Sequence, residues 1–118
     1  MKKVLETERV LTTFEGEPMR LGEAGGEPAR LRDVLLVYLR NGAQMGLSEM
    51  EQSAAYEAGL KIGRAEGRAE LTQGEYDVVK KLADSGRITG PGGEGAIFGL
   101  EVSGQIKRLV DGAETVEI

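Results

Sequence analysis

LTQGEYDVVKKLADSG, residues 71–86, carries the start and the stop of a helix in its own chemistry. Thr72 is an N-cap whose hydroxyl can accept from the backbone N–H of Glu75, while the Glu75 carboxylate reaches back to the N–H of Thr72. Leu71 and Tyr76 stand at N′ and N4, the spacing of a hydrophobic staple. Val79 and Leu82 continue the apolar face, and Gly86 sits where a left-handed residue closes a helix.

On the N-terminal side, LSEMEQSAAYEAGLKIGRAEG (residues 47–67) opens on a second capping box, Ser48 with Glu51. Ala55, Gly59, Gly63 and Gly67 then recur every fourth residue. Glycine inside a helix costs about 1 kcal/mol relative to alanine, so the stripe calls for a closely packed neighbour. That neighbour is a helix of the same chain or a second copy of the protein; otherwise the helix ends near Gly63. Further upstream, LRDVLLVYLRNG (residues 31–42) places Leu31, Val34, Leu35, Tyr38 and Leu39 on one helical face. Leu36 and Val37 widen that arc, as expected of a central helix, and Asn41-Gly42 supplies a stop. GEAGGEPA (residues 22–29) reads as a loop. Val10–Phe14, a Gly- and Pro-containing turn over Glu15–Pro18, and Met19–Leu21 read as a β-hairpin within residues 1–21.

Downstream, GRITGPGGEGAIFG (residues 86–99) contains Gly90, Gly92 and Gly95 in the spacing G-x-G-x-x-G. A dinucleotide cradle needs a strand leading into the turn and a helix leaving it. Here a helix leads in, only Arg87-Ile88-Thr89 could form a strand, and no Lys-Ser or Lys-Thr follows as in a P-loop. The expectation is a flexible connection between two helices. Arg87, Gly90, Gly92, Gly93 and Gly95 form one candidate contact surface on it, and Gly59 and Gly63 on the helix within residues 47–67 form another. The alternative is a small-ligand or nucleotide sequestering protein using the loop 90–95. The last helix lies in residues 96–112, with Phe98, Val102, Ile106, Leu109 and Val110 on one face and Gly112 at its end. The tail 113–118 has room for a short strand in TVEI.

Composition narrows the function. The 118 residues suit one domain: a hairpin over 1–21, a helical region over 30–112 and the tail. The expected fold is mainly α (α+β), a short N-terminal hairpin packed on about four helices. The chain has no His and no Cys. It therefore lacks the usual general base, the commonest transition-metal ligand, thiolate chemistry and disulfides. No catalytic residue, cofactor or metal site is assigned, and a non-enzyme is expected. The net charge of −5 has no basic block beside it, which argues against sequence-independent nucleic-acid binding and suits docking on a basic partner. No apolar run approaches a membrane span, and the N-terminus has no apolar signal region. Glu15 and Glu17 are read as solvated on their turn. Lys80-Lys81 and Lys107-Arg108 are read as solvating charges, and the tyrosines as core or rim.

Three stretches together, FEGEPMRL with LRDVLLVYLRNG, AYEAGLKIG, and LTQGEYDVVKKLADSG with VSGQIKRLVDG, resemble small proteins of unassigned function encoded by tailed bacteriophages and prophages. The likeness covers most of the chain as a pattern, from which ITGPGGEG departs. It implies a non-catalytic accessory protein of the infected cell's cytoplasm or the virion. Such a protein would act on a phage structural protein or a host protein, as an assembly component or as an inhibitor of a host defence or transcription protein, with homo-oligomerisation open.

Overall fold

The computed structural model describes residues 2–20, 28–90 and 93–116. In chain order these form β1 (Lys2–Glu6), α1 (Leu31–Arg40), a 3-10 turn (Gly42–Met45), α2 (Glu49–Arg64), β2 (Arg68–Thr72), α3 (Gln73–Ser85), β3 (Arg87–Gly90), β4 (Gly93–Ala96), α4 (Leu100–Asp111) and β5 (Glu114–Val116). The fold is mainly α, with four helices and a small antiparallel sheet in the order β2-β1-β5.

Both capping boxes form. The Ser48 hydroxyl accepts from the Glu51 N–H at 3.2 Å and the Glu51 carboxylate accepts from the Ser48 N–H at 3.0 Å. Thr72 and Glu75 repeat the pattern at 3.2 and 2.9 Å. Each boxing glutamate also takes a lysine from the other helix. Lys81 of α3 donates to Glu51 at 2.9 Å, and Lys61 of α2 donates to Glu75 at 2.7 Å. The two helices run antiparallel, so each ties down the other's first turn. α3 closes on Gly86 at φ +57, a conformation that carries no steric penalty for glycine. The Leu71 and Tyr76 side chains are both buried in the core. One core joins the inner faces of all four helices and the sheet through Leu5, Leu35, Ile62, Leu71, Val79 and Ile106. Tyr38 lies fully inside it, its ring against Phe98 at 5.8 Å between centroids and its hydroxyl without a partner among the described residues.

Four expectations require correction. The N-terminal strand is Lys2–Glu6, and its partners are β2 and β5, far away in the chain, rather than residues 10–21. Residues 11–19 do fold back on themselves, with the Thr13 N–H donating to the Glu17 carbonyl and the Met19 N–H to the Leu11 carbonyl, both at 2.8 Å. That loop adds only isolated bridges, Val10–Arg30 and Thr12–Pro18. Secondly, the region 30–112 is not wholly helical: β2 runs directly into α3, and the sheet needs it as an edge. Thirdly, α2 ends at Arg64, so Gly67 lies outside it and turns the chain into β2 at φ +96. Finally, the glycine-rich stretch is a two-stranded hairpin, β3 with β4, paired from Arg87–Ala96 to Gly90–Gly93. Glycine is a poor strand former, yet its backbone N–H and C=O can still pair, and here they complete a short ladder. Gly92 lies outside the described residues.

Candidate functional site

The two groups of residues expected to form an interaction surface lie against different elements. Arg87, Gly90, Gly93 and Gly95 belong to the β3–β4 hairpin, which packs on the 3-10 turn. Among the described residues this stretch is two antiparallel strands, without a helix N-terminus that would aim amides at a phosphate. Gly59 and Gly63 face α1 side chains of the same chain. A Cβ built on Gly59 would lie 3.9 Å from Leu39 Cδ1, and one on Gly63 would lie 3.8 Å from Leu36 Cδ2. These are ordinary contacts with side chains, so no backbone approaches closely and the stripe's glycines are not required by packing.

A different surface stands out, along the solvent side of α4. Phe14 and Leu100 are among the most exposed large apolar residues described, at 75% and 74%. They lie together at one end of a groove between α4 and the segment Arg9–Phe14. The groove consists of three adjoining hollows of about 220, 380 and 390 Å³. Arg9 and Leu109 are shared by the first two, Thr12 and Gln105 by the last two, and Arg108 by all three. At the sheet end its walls are Val4, Leu5, Leu31 and Ala113.

The segment bearing Phe14 is fixed from two sides. Leu11 is fully buried, and its N–H donates to the Ala29 carbonyl at 2.9 Å. From α4, the Gln105 amide behaves like a strand partner for Thr12: its oxygen accepts from the Thr12 N–H at 2.9 Å and its nitrogen donates to the Thr12 carbonyl. Glu101 then accepts from the Phe14 N–H at 2.7 Å. Both backbone groups of Thr12 and the N–H of Phe14 are thereby satisfied by side chains of a helix, and the Phe14 ring is exposed. An exposed Phe on a mobile loop would be unremarkable; this one lies on a segment tied to a helix by Gln105 at Thr12 and by Glu101 at its own N–H.

The helix face beneath is Leu100, Glu101, Gly104, Gln105 and Arg108, at spacings i, i+1, i+4, i+5 and i+8. It is opposite in character to the buried face of Val102, Ile106 and Val110. Gly104 makes the notch in the middle. A Cβ added there would meet nothing within 4 Å, so internal packing does not account for a glycine in mid-helix, where it costs about 1 kcal/mol.

Charge is unevenly used around the groove. Glu8 bridges Arg30 and Arg32 at 3.2 and 2.8 Å, and Glu114 pairs with Arg68 at 3.2 Å. Glu101 is committed to the Phe14 N–H. The guanidinium groups of Arg9 and Arg108 make no ion pair or side-chain hydrogen bond among the described residues. Glu6, at the sheet end, is likewise without an ion pair.

Other candidate groups have structural employment. Lys80 is held by Asp84 and Asp111 at 3.2 and 2.6 Å, which pushes its pKa up, chiefly through the hydrogen bond to Asp111. Lys81 serves Glu51. Tyr76 is buried with its hydroxyl donating to the Val110 carbonyl at 2.6 Å, and Tyr56 is exposed. Glu15 and Glu17 are exposed beside Gly16. Among the described residues no group of three acidic side chains could hold a metal ion, and no helix is long and apolar enough to cross a membrane.

Sequence reasoning missed the groove because it counted Phe14 as the end of an apolar strand and did not single out Leu100. A signal was present in α4, where Leu100, Gly104 and Arg108 recur every fourth residue on the face away from the core. The chain matches no family model, no curated protein and no solved structure.

Proposed function

We propose that the protein is a phage-type accessory protein that works without catalysis, by contact with another protein through the Phe14–Leu100 end of the α4 groove. The partner is a phage structural protein or a host protein, met in the infected cell's cytoplasm or in the virion. The reading is carried by one observation: Phe14 is three-quarters exposed on a segment tied to α4 by backbone hydrogen bonds, Thr12 to Gln105 and the Phe14 N–H to Glu101. Interface anchors are typically aromatic groups presented in a rigid setting. The absence of His and Cys is consistent with a non-catalytic role.

The test is affinity capture from a lysate of the bacterial host, with and without infection, comparing the wild-type chain with a Phe14→Ser/Leu100→Ser variant by quantitative mass spectrometry. The expected result is a partner enriched by the wild type and lost with the variant, while circular dichroism shows the variant folded. Identical capture profiles for the two proteins would reject this surface. Enrichment seen only after infection would favour the virion role, and enrichment of a host protein the inhibitory one.

A further inference from the structure

We propose that the α4 groove takes an extended, acidic peptide segment of the partner, with one bulky apolar side chain seated between Phe14 and Leu100 and carboxylates set on Arg108 and Arg9. This rests on the reading of the surface as a protein-contact site and adds the chemistry of what it contacts.

The argument is charge complementarity along an apolar trough. The chain as a whole is acidic, with 20 carboxylates against 15 Lys and Arg. Two groove-side carboxylates have partners within the fold: Glu114 is ion-paired with Arg68, and Glu101, which keeps its charge, accepts from the Phe14 N–H. Arg108 borders all three hollows and Arg9 borders two, and neither is ion-paired among the described residues. A guanidinium presents a planar fork of donors that matches a carboxylate with two parallel hydrogen bonds. The free charge thus lies along the middle of the groove and the free apolar area at its end. Glu6 is the one uncommitted acid of the lining and stands at the opposite, sheet end.

Gly104 sets the depth. With no side chain at position 104, on the line from Leu100 to Arg108, a segment can approach the α4 backbone between its apolar anchor and its charged anchor. An unhindered glycine in mid-helix is what such a seat needs and what folding alone does not need. A single strand of nucleic acid could also use a cation and an aromatic ring, but the two groove guanidinium groups unpaired among the described residues are too few for a chain that carries a phosphate at every step. A short acidic segment meets the arginines without bringing a phosphate at every step.

The test uses the full chain and fluorescence anisotropy with labelled synthetic peptide pools of about twelve residues, the length of an extended segment able to span one face of a small protein. One pool alternates Asp or Glu with Leu, Phe or Trp. A second replaces the acids by Lys, a third replaces the apolar residues by Ser, and an oligothymidylate of equal length serves as the polyanion. The acidic-apolar pool is expected to bind at least about tenfold more tightly than the other three, with affinity falling as salt rises. Arg108→Glu should weaken that binding by about tenfold or more, a difference of roughly 1.4 kcal/mol. Gly104→Glu should abolish it while leaving the melting temperature unchanged or raised, since the new side chain meets open space.

Equal binding of the Lys pool or the oligothymidylate would overturn the proposal. So would retention of binding in both variants, or no binding of the acidic-apolar pool at any accessible concentration. These outcomes are separable from the fate of the broader reading. If Phe14→Ser/Leu100→Ser abolishes partner capture but the pools do not discriminate charge, the contact surface stands and the acidic ligand falls. If the pools discriminate but capture ignores Phe14, the groove binds such peptides and the partner is reached elsewhere.

Discussion

Gln105 is the residue on which the candidate surface depends. Its amide replaces a strand on Thr12, giving an acceptor to the N–H and a donor to the carbonyl, and its nitrogen also donates to the Glu101 carbonyl at 2.7 Å. Gln105→Ala removes both partners of a half-buried backbone unit at once, and leaving such groups unsatisfied costs about 1–3 kcal/mol. The expected outcome is a lower urea midpoint together with faster amide exchange at Thr12 and Phe14, the α3 amides keeping their protection relative to global opening. Phe14→Ala, by contrast, should leave the midpoint within about 0.5 kcal/mol of wild type, as an exposed position allows. A Gln105→Ala protein with unchanged exchange at Thr12 would show that Leu11 and the Glu101 carboxylate hold the segment without the Gln105 amide. The sequence disclosed little of this. Gln105 is an ordinary polar residue on the outer face of a helix, and its importance arises from a segment 93 positions away.

Elements whose ends are specified by local chemistry were legible; those specified by distant partners were not. The starts of α2 and α3 follow from a hydroxyl and a glutamate three residues apart, and the αL stop at Gly86 from its missing Cβ. β1 was hidden because Val4 and Leu5 are both buried, on opposite faces of the sheet. Lys2–Glu6 therefore shows neither the alternation of a half-exposed strand nor the run of a central one, and only β2 and β5, 60 or more positions later, make it a strand. β2 does alternate, with Ala69 and Leu71 inward, but its residues were absorbed into the approach to α3. The glycine stripe of α2 was legible as a pattern and misleading as physics. The observed neighbours are the flexible ends of Leu39 and Leu36 at ordinary contact distance, so a methyl group fits. Gly59→Ala is accordingly expected to raise stability by about 0.5–1 kcal/mol through helix propensity, measured as a higher urea midpoint at unchanged slope. A loss of stability would mean that α1 and α2 approach more closely than these contacts allow.

At the scale of the whole molecule, the reciprocal ties between α2 and α3 make acid the natural probe of cohesion. Burial alone would raise the Glu75 pKa. The Lys61 ammonium and the Thr72 N–H outweigh it and hold the carboxyl below its ordinary value of 4.5. Glu51 is held lower still, at about 2, first by the Ser48 N–H and then by Lys81. In both cases the folded pKa lies below the unfolded one, so the folded chain binds fewer protons in this range. The stabilisation is complete above about pH 5 and disappears as pH falls through the folded values. Melting temperature should thus be flat from neutrality to about pH 5 and fall steadily towards pH 2. Glu75→Gln keeps the side chain's shape and an acceptor for the Thr72 N–H, but loses the charge facing Lys61. It should melt below wild type at pH 7, and the gap should narrow on acidification as the Glu75 carboxylate of the wild type is protonated. Glu51→Gln should behave alike, its gap persisting to lower pH because Glu51 is the more strongly shifted group. Added salt at pH 7 should reduce the Glu51 gap more than the Glu75 gap, since the Glu75 carboxylate is one-tenth exposed and that of Glu51 about one-third. A wild-type-to-variant gap that is constant from pH 7 to pH 2 would show that neither charge contributes, and that α2 and α3 are joined by their apolar faces alone.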